Sequence, residues 1–114
     1  MKKLLSGLII LLLLVGCGIQ TSVDVTEIDA HVERLKQHAE TQSDFEQYKA
    51  DLEEFNNYLK GIDNEKYQEY IEVQIEANNM RIEGIEEMDS DLITESSFKQ
   101  AHALDILEQI KEAQ

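Results

Sequence analysis

Proline is missing from this chain, cysteine occurs once among its 114 residues, and glycine occurs five times. A single thiol excludes any intramolecular disulfide, so the fold has to be held by packing and hydrogen bonds. After position 18 the only glycines are Gly61 and Gly84. With no proline and so little glycine, nothing in the chain forbids long helices, and the acidic composition, with its glutamine and alanine, suits helices far better than strands. Basic residues are scarce as well: ten Lys and Arg stand against 24 Asp and Glu, a net charge of −14. That balance argues against nucleic acid or an anionic bilayer surface as a partner, because each needs a basic face. The carboxylates are spread along the chain and not blocked into a tail, so most of them read as a solvated, self-repelling surface.

Long apolar runs are limited to one place. Lys2 and Lys3 precede an apolar stretch from Leu4 to Val15, which is followed by Gly16 and Cys17. This is the layout of a secretory signal peptide. The stretch has about twelve residues, whereas a helix that spans the hydrocarbon layer needs about 20, so a permanent membrane span is the poorer reading. Cutting before Cys17 removes Lys2 and Lys3 and leaves eight Lys and Arg against 24 acids, a balance of −16.

The residues at the junction, Leu14, Val15, Gly16 and Cys17, resemble the lipobox of bacterial lipoproteins: a branched apolar residue, a small or β-branched one, a small one, then cysteine. The resemblance covers only the first seventeen or so residues. It implies that the Cys17 thiol receives a diacylglycerol and that a dedicated signal peptidase, recognising Leu14, Val15 and Gly16, leaves Cys17 as the mature N-terminus. A thiolate is the soft nucleophile such an alkylation needs, and two acyl chains anchor durably where one is marginal. The implied location is the cell membrane, lipid-anchored and facing the extracytoplasmic side. The implied division is residues 1–16 as removed signal peptide, 17–25 as lipidated cysteine and tether, and 26–114 as the folded domain. Eight extended tether residues reach about 26 Å, which keeps that domain near the bilayer.

The remainder reads as a succession of amphipathic helices. A first helix begins near Thr26, capped by Asp24 or Thr26, with Ile28, Val32, Leu35 and Ala39 on one face. Ser43 and Glu46 form a capping box ahead of the cleanest stripe: Phe45, Tyr48, Leu52, Phe55, Leu59 and Ile62. The two stripes differ in heptad phase, so a break is expected near residues 41 to 44, although one long bent helix also fits. Lys60 and Gly61 mark a helix end with a left-handed glycine cap, and Asp63 or Asn64 opens the next helix. That helix runs to about Met88 on Tyr67, Tyr70, Ile71, Ile75, Ile82 and Ile85, interrupted by Gln74, Asn78 and Gly84. After Asp89, Ser90 and Asp91, a last helix carries Leu92, Ile93, Phe98, Ala101, Leu104, Leu107 and Ile110. Single apolar stripes and short connections predict an all-α fold: an antiparallel up-and-down bundle of three to four helices.

Residues suited to chemistry are few. His31 and His38 lie about 10 Å apart along a helix axis, too far to share a metal ion. The residues three before the histidines are Ile28, Leu35 and Lys99, so the Glu-x-x-His of di-iron bundles is missing and His31, His38 and His102 read as surface or boundary residues. A calcium loop starting at Asp89 would put Thr94 and Gln100 where glycine and glutamate are required; the plainer role of Asp89 to Asp91 is to cap the last helix. No nucleophile elbow and no glycine-rich phosphate loop occurs. Phe45, Tyr48 and Phe55 read as core, Tyr58 and Tyr70 as bundle boundary. The expectation is a non-catalytic binding or scaffolding module with no metal and no cofactor beyond the diacylglycerol on Cys17. Its partners would be the membrane, through the lipid anchor, and an envelope protein, with self-association as a further possibility. The alternative is capture of cations or cationic peptides, or an immunity or exclusion lipoprotein of a mobile element.

Overall fold

The first helix starts where the sequence supplies a cap. In a computed structural model, which describes residues 22–41 and 44–113, Asp24 accepts the Thr26 backbone N–H at 3.0 Å and α1 runs over Val25–Thr41. Leu14, Val15, Gly16, Cys17 and Ser43 lie outside the described residues. Helix α2, Phe45–Lys60, is capped by Asp44, which accepts from Gln47 N at 3.0 Å; this corrects the expected Ser43 cap. A side chain one residue later performs the same task, satisfying one of the free N–H groups at the helix start.

Gly61 does not take the left-handed cap conformation expected of it. Its φ of −81° and ψ of −5° are right-handed, and the Ile62 N–H donates to Leu59 O at 3.1 Å. The tightened turn carries Ile62 into the core as the last member of the α2 stripe. Asn64 then caps a short 3₁₀ turn, Glu65–Tyr67, which leads into α3, Gln68–Glu87. Helix α4 occupies Ser90–Glu112 behind Asp89, which accepts from Leu92 N at 3.1 Å, the capping role read from the sequence.

Cross-links between helices define the topology. His38 late in α1 meets Asp51 in the first half of α2, Arg81 late in α3 meets Tyr48 early in α2 and Ser96 early in α4, and Lys111 at the end of α4 meets Asp29 near the start of α1. Late faces early at each contact, so neighbouring helices run antiparallel. The described residues form an all-α up-and-down bundle of four helices. Helices α3 and α4 make the most extensive pair, α2 packs on α3, and α1 packs on α2 with its backbone held off α4.

The core contains Ile28 and Leu35 of α1, Leu52, Phe55 and Leu59 of α2, Tyr70 and Ile71 of α3, and Ala103, Ile106 and Leu107 of α4. Burying side chains of this size contributes about 1.5 to 3 kcal/mol each. Gly84 is buried against the start of α4; a Cβ there would lie 2.7 Å from Ile93 Cγ1 and 3.2 Å from Ile93 N. Several sequence assignments are corrected. Phe45 is 52% exposed and Phe98 72% exposed, and Ala101 is also exposed. Tyr70 is fully buried instead of lying at the boundary, and His31 is buried instead of at the surface. The inward face of α4 follows Ile93, Ser96, Gln100, Ala103 and Leu107, a regular 3-4 spacing. Two of its members are polar, so a stripe drawn through apolar residues alone pointed α4 the wrong way.

Candidate functional site

The middle of the bundle is polar. Gln74 and Gln100 pair as reciprocal amides, Gln74 Nε2 donating to Gln100 Oε1 at 2.6 Å and Gln100 Nε2 to Gln74 Oε1 at 2.9 Å. The Tyr70 hydroxyl donates to Gln74 Oε1 at 3.0 Å, and Gln74 Nε2 also donates to Asn78 Oδ1 at 2.9 Å. From Asn78 the chain of amides passes to Asn56 Oδ1 and from Asn56 to Asn79 Oδ1, each at 2.9 Å. Gln74 and Asn78, which look like interruptions of a stripe, are thus the ladder that aligns α2, α3 and α4. Every step pairs a donor with an acceptor, so a slip of one residue would leave buried amides unpaired, at a cost of about 1 to 3 kcal/mol for each.

Above this ladder Arg81 ties three helices. Its Nε donates to Ser96 Oγ at 2.6 Å, Nη1 to the Tyr48 hydroxyl at 3.1 Å and Nη2 to Ser97 Oγ at 2.5 Å. The ring of His38 stacks on Tyr48 with centroids 5.1 Å apart, and its Nε2 lies 2.6 Å from Asp51 Oδ2. Asp51 is buried and also accepts from Gln47 Nε2 at 3.0 Å. These groups are consumed in holding helices together. His31 stacks nearly parallel on Phe55 and against Tyr58, and burial, followed by the nearby Arg34 cation, lowers its pKa from the usual 6.5. His102 is exposed on α4. The three histidines are therefore not brought together, and among the described residues no group of three His, Cys, Asp or Glu is placed to hold a metal ion.

Tyr58 and Tyr70 share a consequence of burial. Burial, followed by the Glu27 and Asp24 carboxylates, pushes the Tyr58 hydroxyl up to about 12, and burial drives Tyr70 higher still. The Tyr58 hydroxyl has no partner at hydrogen-bond geometry; Glu27 acts on it through its charge. Neither tyrosine is a candidate acid or base near neutral pH.

Two openings among the described residues bear on function. One, of about 190 Å³, lies between α1 and α4 where their backbones stay apart, lined by Leu35, Ala39, Arg81 and Leu104 among others. The other is larger, about 560 Å³, and sits where α2 begins, α3 ends and α4 begins. Its apolar surface comes from Phe45, Ile85, Met88 and Ile93, and Gly84 opens it by lacking a side chain. Glu46, Lys49 and Glu86 edge it, with Lys49 Nζ 3.7 Å from Glu46 and 3.6 Å from Glu86.

Met88 is the unusual member of this groove. It is the left-handed residue that ends α3, with φ 53° and ψ 43°, and the only non-glycine residue with positive φ among those described. The turn satisfies the helix end: Asp89 N donates to Gly84 O at 2.9 Å and Met88 N to Ile85 O at 3.3 Å. Glycine is the usual occupant of such a position, because a side chain costs about 1 to 2 kcal/mol there. Instead the chain places a large apolar side chain at 90% exposure. Residues held in such a conformation cluster at functional sites, which makes Met88 the candidate among the described residues. Sequence reading missed this site because Phe45 counted as core and Met88 as a helix end; a long apolar residue just past a helix, where glycine is expected, was the available signal.

The comparisons give this surface no precedent: no protein-family model matches the chain, and neither a curated protein nor a solved structure does.

Proposed function

We propose that the chain is a lipid-anchored protein of the bacterial cell envelope that binds or scaffolds a protein partner without catalysis, using the groove around Met88. The observation that carries this reading is the pairing of a strained, exposed Met88 with an exposed Phe45 at one opening. Exposed apolar side chains gathered at one opening with a polar rim are the kind of surface through which proteins dock.

Position supports it. The lipobox resemblance puts the anchor at Cys17, a few residues before α1 starts at Val25. Helix α1 has 17 residues, about 25 Å at 1.5 Å per residue. The groove lies at the far end of that helix, beside the start of α2. A domain tethered at one end and apolar at the other presents its groove away from the bilayer. Among the described residues no helix is long and apolar enough to cross a membrane.

The test places a photo-crosslinking amino acid at position 88, and at exposed position 102 as control, in cells carrying wild-type Cys17 or Cys17→Ala. Labelling with an alkynyl fatty acid reports lipidation in the same samples. A polypeptide captured from position 88 and not from 102, and lost or weakened with Cys17→Ala, is the expected result. Lipidated protein that gives the same background adducts from both positions would overturn the reading.

A further inference from the structure

The residues that frame the groove, 44–49 and 83–91, carry seven carboxylates and one ammonium, Lys49. Lys49 is already engaged by Glu46 and Glu86, so it offers no free cation to a ligand. Glu83, Glu87 and Asp91 have no ion-pair partner among the described residues, and all three are exposed. Asp44 and Asp89 are held as helix caps by Gln47 N and Leu92 N. An apolar floor is therefore ringed by uncompensated negative charge.

This combination selects the occupant. A second copy of the same end would bring seven carboxylates against seven, and an anionic bilayer would be repelled in the same way. A purely apolar segment would leave the rim charges facing it unpaired. Resting on the docking reading above, we infer that the groove takes a basic amphipathic segment of a partner polypeptide. Its apolar side chains lie on Phe45, Ile85, Met88 and Ile93, and its Lys and Arg heads meet the rim carboxylates. Apolar anchors set in an amphipathic segment are the usual contents of a groove between helix ends, and complementary charge around them fixes the choice among partners.

Among the described residues the buried core lies within residues 28–107, with Val23, Val25 and Ile110 packed against it; the mature chain, residues 17–114 with Cys17→Ser, contains all of them and is the protein to use. The probes are two fluorescent 14-residue helical peptides with leucine at identical positions, one with lysine and one with glutamate elsewhere. Anisotropy is read at 50 and 300 mM NaCl. The lysine peptide is expected to bind at least tenfold tighter than the glutamate peptide at 50 mM, with the gap shrinking at 300 mM. Phe45→Ser, at an exposed position that leaves the helical circular dichroism unchanged, should weaken the lysine peptide at least tenfold. Glu86→Gln with Glu87→Gln should weaken it several-fold at 50 mM and little at 300 mM, while Glu108→Gln on the exposed far part of α4 has no effect.

Lysine-peptide binding that survives Phe45→Ser would show diffuse attraction to an acidic surface and overturn the inference. Equal binding of the two peptides, both lost with Phe45→Ser, would overturn the charge selection while leaving a docking groove in place. Failure of both peptides, with sedimentation showing dimers that Phe45→Ser dissociates, would assign the groove to a second copy. Failure of both with a monomer would reject the basic segment outright, and the cellular crosslink from position 88 would still judge the docking reading separately.

Discussion

Replacing Gln74 by leucine keeps the approximate size of a fully buried side chain and removes the centre of the amide ladder. In the wild-type protein Gln74 accepts from the Tyr70 hydroxyl and donates to Asn78 Oδ1, both buried, and pairs twice with Gln100, which reaches partly to solvent. In Gln74→Leu the Gln100 amide turns to water. The Tyr70 hydroxyl and Asn78 Oδ1 stay buried without partners. At about 2 kcal/mol for each orphan the loss is about 4 kcal/mol. The better burial of leucine offsets about 1 to 2 kcal/mol of it, so the expected destabilisation is about 2 to 3 kcal/mol. For a domain of this size that is a fall in Tm of roughly 10 to 20 °C, read by circular dichroism at 222 nm, with urea unfolding as a second measure. The double variant Tyr70→Phe with Gln74→Leu removes one orphan and should regain about 1 to 2 kcal/mol over Gln74→Leu alone, a coupling that independent sites would not show. If Gln74→Leu were as stable as wild type, or Tyr70→Phe added its own loss in the double variant, the ladder would not be what aligns these helices.

Met88→Gly should raise stability by about 0.5 to 1 kcal/mol, because glycine adopts the observed left-handed conformation without strain, and it should weaken the lysine peptide; a fall in Tm would refute the strain assignment. His31 is held below its usual pKa in the folded state, so the unfolded chain binds the extra proton first, and the stability this neutral ring contributes is complete above 6.5 and is lost as pH falls below it. His31→Phe, which keeps an aromatic ring against Phe55 and Tyr58, should flatten that part of the stability profile between pH 7 and 5. Tyr58→Phe deletes a buried hydroxyl that has no partner and should leave stability unchanged or raise it by up to about 1 kcal/mol. With Tyr58 raised from 10 to about 12, its contribution is present below pH 10 and lost as pH rises through 12; alkaline unfolding should be shallower in Tyr58→Phe, as followed by far-ultraviolet circular dichroism.

The small carboxamide and carboxylate residues explain why helix boundaries were readable in advance. Asp24 and Asp89 cap the first and last helices through bonds that span two or three residues, and such bonds depend on neighbours in the chain alone. Lys60 and Gly61 likewise close α2 where the sequence marks its end, and the α2 stripe from Tyr48 to Ile62 is buried as its spacing implies. Those signals, with the absence of proline, determined an all-α bundle of three to four helices before any contact between them was known; that residues 25–60 form two helices and not one bent one was decided by the structure. The resemblance to a lipobox at Leu14 to Cys17 also rests on neighbouring residues alone, and the lipid anchor it implies is a proposal.

Which face of α3 and α4 turns inward was not local. Gln74, Asn78, Ser96 and Gln100 are polar in sequence and gain a place in the interior only because Asn56 and Tyr70 are brought to meet them. An amide alone is costly to bury, whereas an amide pair is nearly neutral, so the sign of the effect depends on a partner more than twenty residues away. The groove has the same origin. Phe45 fits the α2 stripe by spacing, yet it lies beyond the end of the helices that would cover it, and only the meeting of three helix ends turns Phe45, Met88 and the surrounding carboxylates into one surface.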